Sequence, residues 1–182
     1  MSKALKPPTY NTNIEPIGVD LVITTIQYAL VGLTWLNQSL GRVYPKIVDG
    51  KTEPWIYKDD AEYYRAYPND TLESFSCIYA HDDEQPDKEI YQTRSVSIII
   101  WVNLQKLGIQ TPSTEMLKRE VWRVLRDLDC VLSFTVTKDQ TTSGTTAIYP
   151  GFDVSGLEDR YNTYPYGAFR VECVTKFADL CY

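Results

Sequence analysis

The one histidine of the chain, His81, begins the run "HDDE", and a histidine beside carboxylates could take part in metal binding or acid–base chemistry. Adjacent side chains of one segment rarely converge on a single ion, and the sequence has no second histidine to complete a ligand set. Two carboxylate pairs, Asp59-Asp60 and Asp82-Asp83, could serve as acid and base, but neighbouring acids in polar loops more often form turns. We therefore expect His81 to lie in a solvated loop, with no metal and no cofactor, and a hydrolase with unusual carboxylates stays a minority hypothesis.

Motifs for nucleophilic or phosphate chemistry are missing from the sequence. None of GxSxG, GxxxxGK[ST] or GxGxxG occurs. The four cysteines, Cys77, Cys130, Cys173 and Cys181, lie in mostly apolar stretches without CxxC spacing. This pattern favours buried reduced thiols over a zinc site or a disulfide framework. We predict that the protein is not an enzyme.

The charge balance argues against a protein that grips nucleic acid. The 182 residues include 24 acidic and 18 basic side chains, a net charge of -6, with no basic run. Binding to phosphates requires a dense patch of lysine and arginine. The N-terminus has no apolar core behind a basic start, so we expect synthesis in the cytoplasm without a secretory signal.

Tyrosine is the most unusual feature of the composition, with 14 residues. Aromatic side chains are concentrated at protein interfaces, so those of two predicted loops are candidate interface residues, although some should fill the edge of the core. The alternative is a small module that binds a carbohydrate or a peptide with these loops. The candidates are Tyr63, Tyr64 and Tyr67 in the first loop, and Tyr149, Phe152, Tyr161, Tyr164 and Tyr166 in the second.

The last strand, within "YPYGAFRVECVTKF", has two distinct faces. Alternation predicts that its apolar row lies under helices and that Arg170, Glu172 and Lys176 form an outer row. That charged row could meet solvent, a neighbouring subunit or a channel, and we count its three residues among the interface candidates.

These residues must be positioned by one domain of about 167 residues, 16–182, preceded by an extended arm over 1–15. Apolar spacing predicts a helix from Pro16 to Gly41, too polar to span a membrane. Asp49-Gly50 predicts a turn, and Pro54–Lys58 a short edge strand. Strands are expected over 71–81, 93–104 and 130–137, the second of them central in the sheet.

A second helix is predicted after Thr111 as its cap and Pro112 in its first position, with Leu117, Val121 and Leu125 in its buried stripe. A long loop follows over 138–167, with a short strand at Thr145–Tyr149, and then the last strand. The order of these elements predicts an α+β fold: a mostly antiparallel β-sheet with two helices packed on one face.

Several segments, in this order of elements, resemble a known family. They are "LNQSLGRVYP", "TEPWIY", "YPND", "IIIWVNL" and "YGAFRVECVTKF". Together they resemble the head-to-tail connector proteins of tailed bacteriophages, and more narrowly the neck-ring proteins of crAss-like phages. The broader similarity is to the tail-terminator or tail-completion fold, and it covers about residues 16 to 180.

The resemblance implies a structural protein of the virion, made in the cytoplasm of a host bacterium. Such a protein forms a homo-oligomeric ring, six- or twelve-fold, in the neck between portal and tail. The ring surrounds the channel through which DNA passes without specific binding, and it is a docking platform for connector, portal or tail proteins. The arm and the 138–167 loop exceed those of shorter tail terminators, so an intermediate connector ring fits the sequence equally well.

Overall fold

The computed structural model describes residues 15–57, 62–83, 85–86 and 91–178, with the side chains of 85, 86, 136 and 137 left out. The predicted arm lies outside these residues except for Glu15, and so do Lys58 of the predicted edge strand and Cys181.

One sheet of eight strands forms the centre of the fold, in the order β3-β2-β1-β4-β6-β8-β7, with β5 paired to β6. All pairs are antiparallel except β1 with β4. The predicted α+β class with a mostly antiparallel sheet is therefore confirmed, and the apolar strand β6 is central as expected. The strands are β1 Gln38–Val48, β2 Lys51–Tyr57, β3 Tyr63–Arg65, β4 Ser74–Ala80, β5 Gln85–Pro86, β6 Tyr91–Asn103, β7 Val131–Asp139 and β8 Tyr166–Ala178.

In the part of the chain that the structure describes, two longer helices and three short ones accompany the sheet. They are α1 Val19–Val31, α2 Glu115–Arg126, α3 Gln140–Ser143, α4 Thr145–Ile148 and a 3-10 turn at Asp159–Asn162. No helix in the described part of the chain is long and apolar enough to cross a membrane.

The first helix is shorter than the sequence predicts, because it ends at Val31 and β1 begins at Gln38. Ser74 of β4 holds the connection: its hydroxyl donates to the Trp35 carbonyl at 2.7 Å and accepts from the Asn37 amide at 2.7 Å. From Gln38 onward, the backbone pairs with β4 instead of forming helical hydrogen bonds. The helical spacing of apolar residues up to Leu40 was misleading, since Leu40 lies in a strand.

The predicted turn at Asp49-Gly50 is confirmed. Both residues have positive φ, 50° and 77°, and Val48 pairs with Lys51, which defines a two-residue hairpin. The sequence predicts an edge strand over Pro54–Lys58. This prediction is wrong at residues 55–57, because β3 pairs with them. The short strand β3 lies within the stretch that the sequence suggests is an aromatic loop.

Two other predictions need correction. The second helix begins at Glu115, not near Thr111, and the Thr114 hydroxyl donates to Asp139 instead of capping the helix. The predicted strand at Thr145–Tyr149 is helical over its first four residues, since Gly144, with φ 73°, ends α3 and begins α4. The buried stripe of α2 is confirmed at Leu117, Val121 and Leu125.

Two buried clusters occupy opposite faces of the sheet. The first contains residues of α1 and α2 together with Ile98, Ile100, Phe169 and Val171 of the strands. The second contains Phe75, Ile99 and Trp101 of the strands, packed against the segment that joins β7 to β8. The predicted 138–167 loop therefore covers part of the second face.

Three of the cysteines are free thiols, as predicted. Cys77 and Cys173 are buried and Cys130 is half-buried. Burial raises the pKa of all three thiols, that of Cys173 to about 12. These side chains are therefore protonated packing groups rather than reactive thiolates.

Candidate interaction surfaces

Three of the aromatic candidates belong to the core rather than to the surface. Tyr149, Phe152 and Tyr161 are buried in the second cluster. Tyr149 stacks on Trp101 with ring centres 6.2 Å apart, and its hydroxyl donates to the Ala66 carbonyl at 2.6 Å. Burial raises the pKa of Tyr149 well above its ordinary value, so the phenol stays neutral. The three rings pack the β7–β8 connection against the sheet.

Three other candidate tyrosines, Tyr64, Tyr67 and Tyr166, are half-buried at the rim of the same cluster. The Tyr67 hydroxyl donates to the Asp153 carbonyl, and the Tyr64 hydroxyl accepts from the Asn69 amide. Burial, reinforced by Glu53 and Asp153, raises the pKa of Tyr67 to about 12. The Tyr67 hydrogen bond ties the first aromatic loop to the second, whereas the Tyr64 bond lies within the first loop.

Asp70 is the centre of a polar group at this rim. It accepts from the hydroxyl of Tyr166 at 2.7 Å and forms an ion pair with Arg160 at 2.7 Å. The Tyr166 hydrogen bond, followed by the Arg160 contact, lowers the pKa of Asp70. Burial, with the hydrogen bond to Asp70, raises the pKa of Tyr166 to about 12. Asp70 thus joins the first aromatic loop to the 3-10 turn at Arg160 and to the start of β8 at Tyr166.

Tyr63 and Tyr164 are the two candidates with the most accessible rings. Tyr164 is 41% exposed, and its hydroxyl donates to the Ile109 carbonyl at 3.3 Å. Tyr63 is 50% exposed and lies in a second aromatic group, which the sequence did not predict as a unit.

This second group, here called the aromatic trough, is formed where β1, β2 and β3 pair. Tyr44 is opposite Trp55, and Tyr57 is opposite Tyr63, with the last two ring centres 5.4 Å apart. The ammonium of Lys46 lies 4.3 Å from the centre of the Trp55 ring and 5.2 Å from that of Tyr63. The trough is an open depression of about 540 Å³ lined by Tyr44, Pro45, Lys46, Trp55, Tyr57 and Tyr63.

The charged row of β8 is mostly engaged within the chain. Arg170 Nε lies 2.8 Å from Glu172 Oε1, and Ser97 donates to Glu172 Oε2 at 2.7 Å. His81 Nε2 lies 2.7 Å from the Ser97 hydroxyl and 3.4 Å from Glu172 Oε2. Burial alone would raise the pKa of Glu172, but the hydrogen bonds from His81 and Ser97 and the charge of Arg170 hold it below its ordinary value.

The meeting of His81, Ser97 and Glu172 is not a catalytic triad. In a triad the acid bonds the imidazole nitrogen opposite the one that faces the serine. Here the carboxylate and the serine both approach Nε2, and the serine proton already points at the carboxylate. Ser97 is also fully buried. The group therefore ties β6 and β8 to the residue that follows β4, and its own serine is not exposed.

Sequence reasoning missed the place of His81, which it assigned to a solvated loop. The signal lies in strand register, because Ser97 pairs with Tyr79 on one side and with Glu172 on the other. His81 comes two residues after Tyr79 and so projects from the same face. The resulting open groove of about 550 Å³ is polar, with His81, Asp82, Asp83, Ser95, Ser133 and Thr135 in its lining. Within the described ranges, no three side chains group as metal ligands.

Lys176, the third member of the outer row, lies over Tyr91 with its ammonium 5.8 Å from the ring centre. In the outer row, Arg170 and Glu172 are therefore paired with each other, and Lys176 lies over the ring of Tyr91. An interface role for the exposed parts of this row and of the tyrosines stays a prediction.

The ends of the sheet are the remaining surfaces that could join subunits. β7 is the terminal strand on one side and β3 on the other. Leu132 of β7 is 53% exposed, at a register shift between Val131 and Ser133.

Neither the protein-family models nor the curated proteins include a match to this chain.

Proposed function

We propose that this protein is a ring-forming structural subunit of the neck of a tailed phage, located between portal and tail. The chain's resemblance to connector proteins motivates this proposal. The observation that supports it best is the open sheet, whose terminal strands β7 and β3 carry exposed side chains. Terminal strands of this kind are ready partners for another chain.

Ring closure needs a heterologous contact, in which one surface of a subunit meets a different surface of the next. The two ends of this sheet differ strongly in chemistry. The β7 end offers a nine-residue strand with an exposed leucine, whereas the opposite end offers the three-residue β3 and the aromatic trough. Two unlike ends suit head-to-tail addition better than a self-complementary dimer contact.

In the proposed ring, α1 and α2 pack on one face of the sheet in a tail-terminator-like arrangement. The opposite face combines the β7–β8 connection with the polar groove beside Glu172. The acidic balance of the chain suits a channel that DNA must pass without adhering, because like charges repel. The subunit acts by geometry, with docking surfaces above and below the ring and no chemical step.

A substitution on β7 tests the proposed contact. Leu132→Asp should leave the isolated chain folded, because the leucine is exposed, but should prevent ring formation by placing a charge in an apolar contact. The measurement is the fraction of tailed particles formed by a phage that carries the variant gene. The matched control is Met116→Asp, at an equally exposed site of α2. Normal particle yield with Leu132→Asp would contradict this assignment of the edge.

A second candidate function is supported by a depression between the two aromatic loops. It measures about 290 Å³ and combines aromatic rings with polar groups, as carbohydrate or peptide sites do; its lining includes Tyr64, Arg65, Tyr67, Asn69, Glu158 and Tyr161. Saturable binding on a glycan or peptide array, lost with Tyr67→Ala and kept with Tyr164→Ala, would favour a binding module over a ring subunit.

A further inference from the structure

The aromatic trough has the chemistry of a site for a proline-rich peptide. Its rings come from two cross-strand pairs. Tyr44 of β1 is opposite Trp55 of β2, and Tyr57 of β2 is opposite Tyr63 of β3. Tyr44 and Tyr63 are 41% and 50% exposed, so their rings present apolar surface to solvent. Aromatic-lined grooves recognise extended proline segments because a polyproline II helix loses little entropy on binding.

The chain itself contains such a segment. Residues 6–10 read Lys-Pro-Pro-Thr-Tyr, in the N-terminal part that precedes the described residues. Pro7 and Pro8 restrict the backbone to extended conformations, and the residue before each proline is disfavoured in the helical region. Tyr10 adds a ring that can pair edge-to-face with the aromatic rings of a groove.

The start of α1 lies beside the trough. Asp20, the second residue of α1, forms an ion pair with Arg42 at 3.0 Å. The guanidinium of the same arginine lies 5.1 Å from the centre of the Tyr44 ring. A single arginine side chain therefore connects the beginning of α1 to the trough.

The length of chain between the segment and the helix is sufficient. Six residues lie between Tyr10 and Ile17, so the chain takes seven steps, which at about 3.3 Å each span roughly 23 Å when extended. Two cross-strand aromatic pairs cover about 10 Å, since neighbouring strands are about 4.8 Å apart. The segment can therefore cross the trough without strain in the connection.

We propose that residues 6–10 of the same chain bind in the aromatic trough, with Pro7 and Pro8 packed on the rings of Tyr44, Trp55 and Tyr63. Lys46 lies over the rings of Trp55 and Tyr63 and is itself exposed, so its side chain can move aside at little cost. The arm then covers the exposed aromatic rings next to β3, and a neighbouring subunit of the proposed ring would meet β3 together with this arm. This inference does not rest on the proposed ring, because it concerns a contact within one chain.

A photo-crosslinking experiment on the full chain tests the proposal. Replacing Tyr10 with p-benzoylphenylalanine keeps an aromatic ring and adds a reactive carbonyl. Irradiation of the dilute protein should join position 10 to peptides that contain residues 44–46, 55–57 or 63. The same group at Tyr28, an exposed position of α1, should give no product with those peptides. Absence of trough products from position 10 would overturn the proposal.

Variants separate binding in the trough from random contact. Tyr44→Ala, Trp55→Ala and the double change Pro7→Ala with Pro8→Ala should each lower the yield about fivefold or more, as loss of roughly 1 kcal/mol does. Tyr164→Ala, an equally exposed tyrosine elsewhere, should leave the yield unchanged. The proline changes precede the described part of the chain and replace none of the trough residues, so they keep the test valid if a trough variant unfolds. A yield that no variant changes would refute specific docking.

Isotope labelling identifies the source of the arm. Crosslinking an equal mixture of unlabelled and ¹⁵N-labelled protein should give peptide pairs from one isotopic form only. Mixed pairs in statistical proportion would show that the arm comes from a second copy, and would overturn docking within the chain.

Discussion

Lys118 and Asp139 form the most enclosed ion pair that the described residues contain. The ammonium lies 2.5 Å from Asp139 Oδ2, and both side chains are nearly buried. The Thr114 hydroxyl donates to the same oxygen at 2.7 Å, while Oδ1 accepts from the Thr141 amide at 2.9 Å and so caps α3. One carboxylate thus joins α2, the end of β7 and the start of the β7–β8 connection.

Removing the charge of Asp139 should destabilise the protein. Asp139→Asn retains a capping side chain but leaves the buried Lys118 ammonium without its nearest counter-charge. We expect the free energy of unfolding to fall by about 3 kcal/mol, measured by urea denaturation. The control is Glu115→Gln, because Glu115 contacts the same ammonium at 2.7 Å from a largely exposed position. Its loss should cost below about 1 kcal/mol, and equal losses would contradict a dominant role for Asp139.

The same carboxylate predicts a dependence of stability on pH. Burial alone would raise the pKa of Asp139, but hydrogen bonds from Lys118 and two threonines hold it below its ordinary 3.8. A lowered pKa in the folded state stabilises the protein above the unfolded pKa, and this stabilisation is lost as pH falls through the folded value. The difference in unfolding free energy between wild type and Asp139→Asn should be constant from pH 5 to 8 and shrink below about pH 4. A difference that persists unchanged at pH 2 would contradict the shift.

Residue types alone could not reveal the polar contacts of the sheet. Alternation in the last strand correctly predicts that Phe169, Val171 and Cys173 are buried. It cannot show that Glu172 meets His81, because the two lie 91 positions apart and are joined only by the register of β4, β6 and β8. The aromatic trough was hidden for the same reason, since Tyr44 and Trp55 become neighbours only when the hairpin forms.

At the scale of elements, the β1–β2 hairpin depends on its turn. Gly50 has φ 77°, and no atom lies within 4 Å of where a β-carbon would be. Gly50→Ala should therefore destabilise the protein by backbone strain alone, by about 1 kcal/mol. Gly156→Ala is the control, because Gly156 also faces open space and has no positive φ. Chemical denaturation that finds equal effects at the two sites would contradict the turn assignment.

Elements with strong local signals could be predicted, and those that depend on pairing could not. The Asp49-Gly50 turn, the apolar β6 and the buried stripe of α2 follow from local chemistry. The end of α1 was wrong, because leucines spaced for a helix continue into a strand that pairs with β4. The short helix α4 replaced the strand predicted at Thr145–Tyr149, and α3 lies in the predicted loop. The Asp139 cap begins α3, and Gly144, with its positive φ, separates the two helices.

At the scale of the whole molecule, the sheet with two unlike ends supports the proposed ring. Its β7 end is long and its β3 end is short and aromatic. The α+β class of the fold was predictable, whereas the division of the second face into a covered half and a polar groove was not. That division depends on where the β7–β8 connection packs. The sequence could not show which of the candidate aromatic rings, here Tyr149, Phe152 and Tyr161, would be the ones buried under it.

If the proposed ring assembles on a preceding ring of the neck, the isolated chain should be monomeric or weakly associated. The mass expected from sedimentation velocity is therefore that of one 20.9 kDa chain. A stable dimer with two-fold symmetry would contradict head-to-tail addition, because its contact joins identical surfaces.

Electron cryo-microscopy of the neck of the tailed phage in which this chain is proposed to act tests the proposed function most directly. We expect a closed, rotationally symmetric ring between portal and tail, in which the β7 edge of each copy faces the β3 end of the next. A neck without this chain, or copies that contact each other through other surfaces, would contradict it.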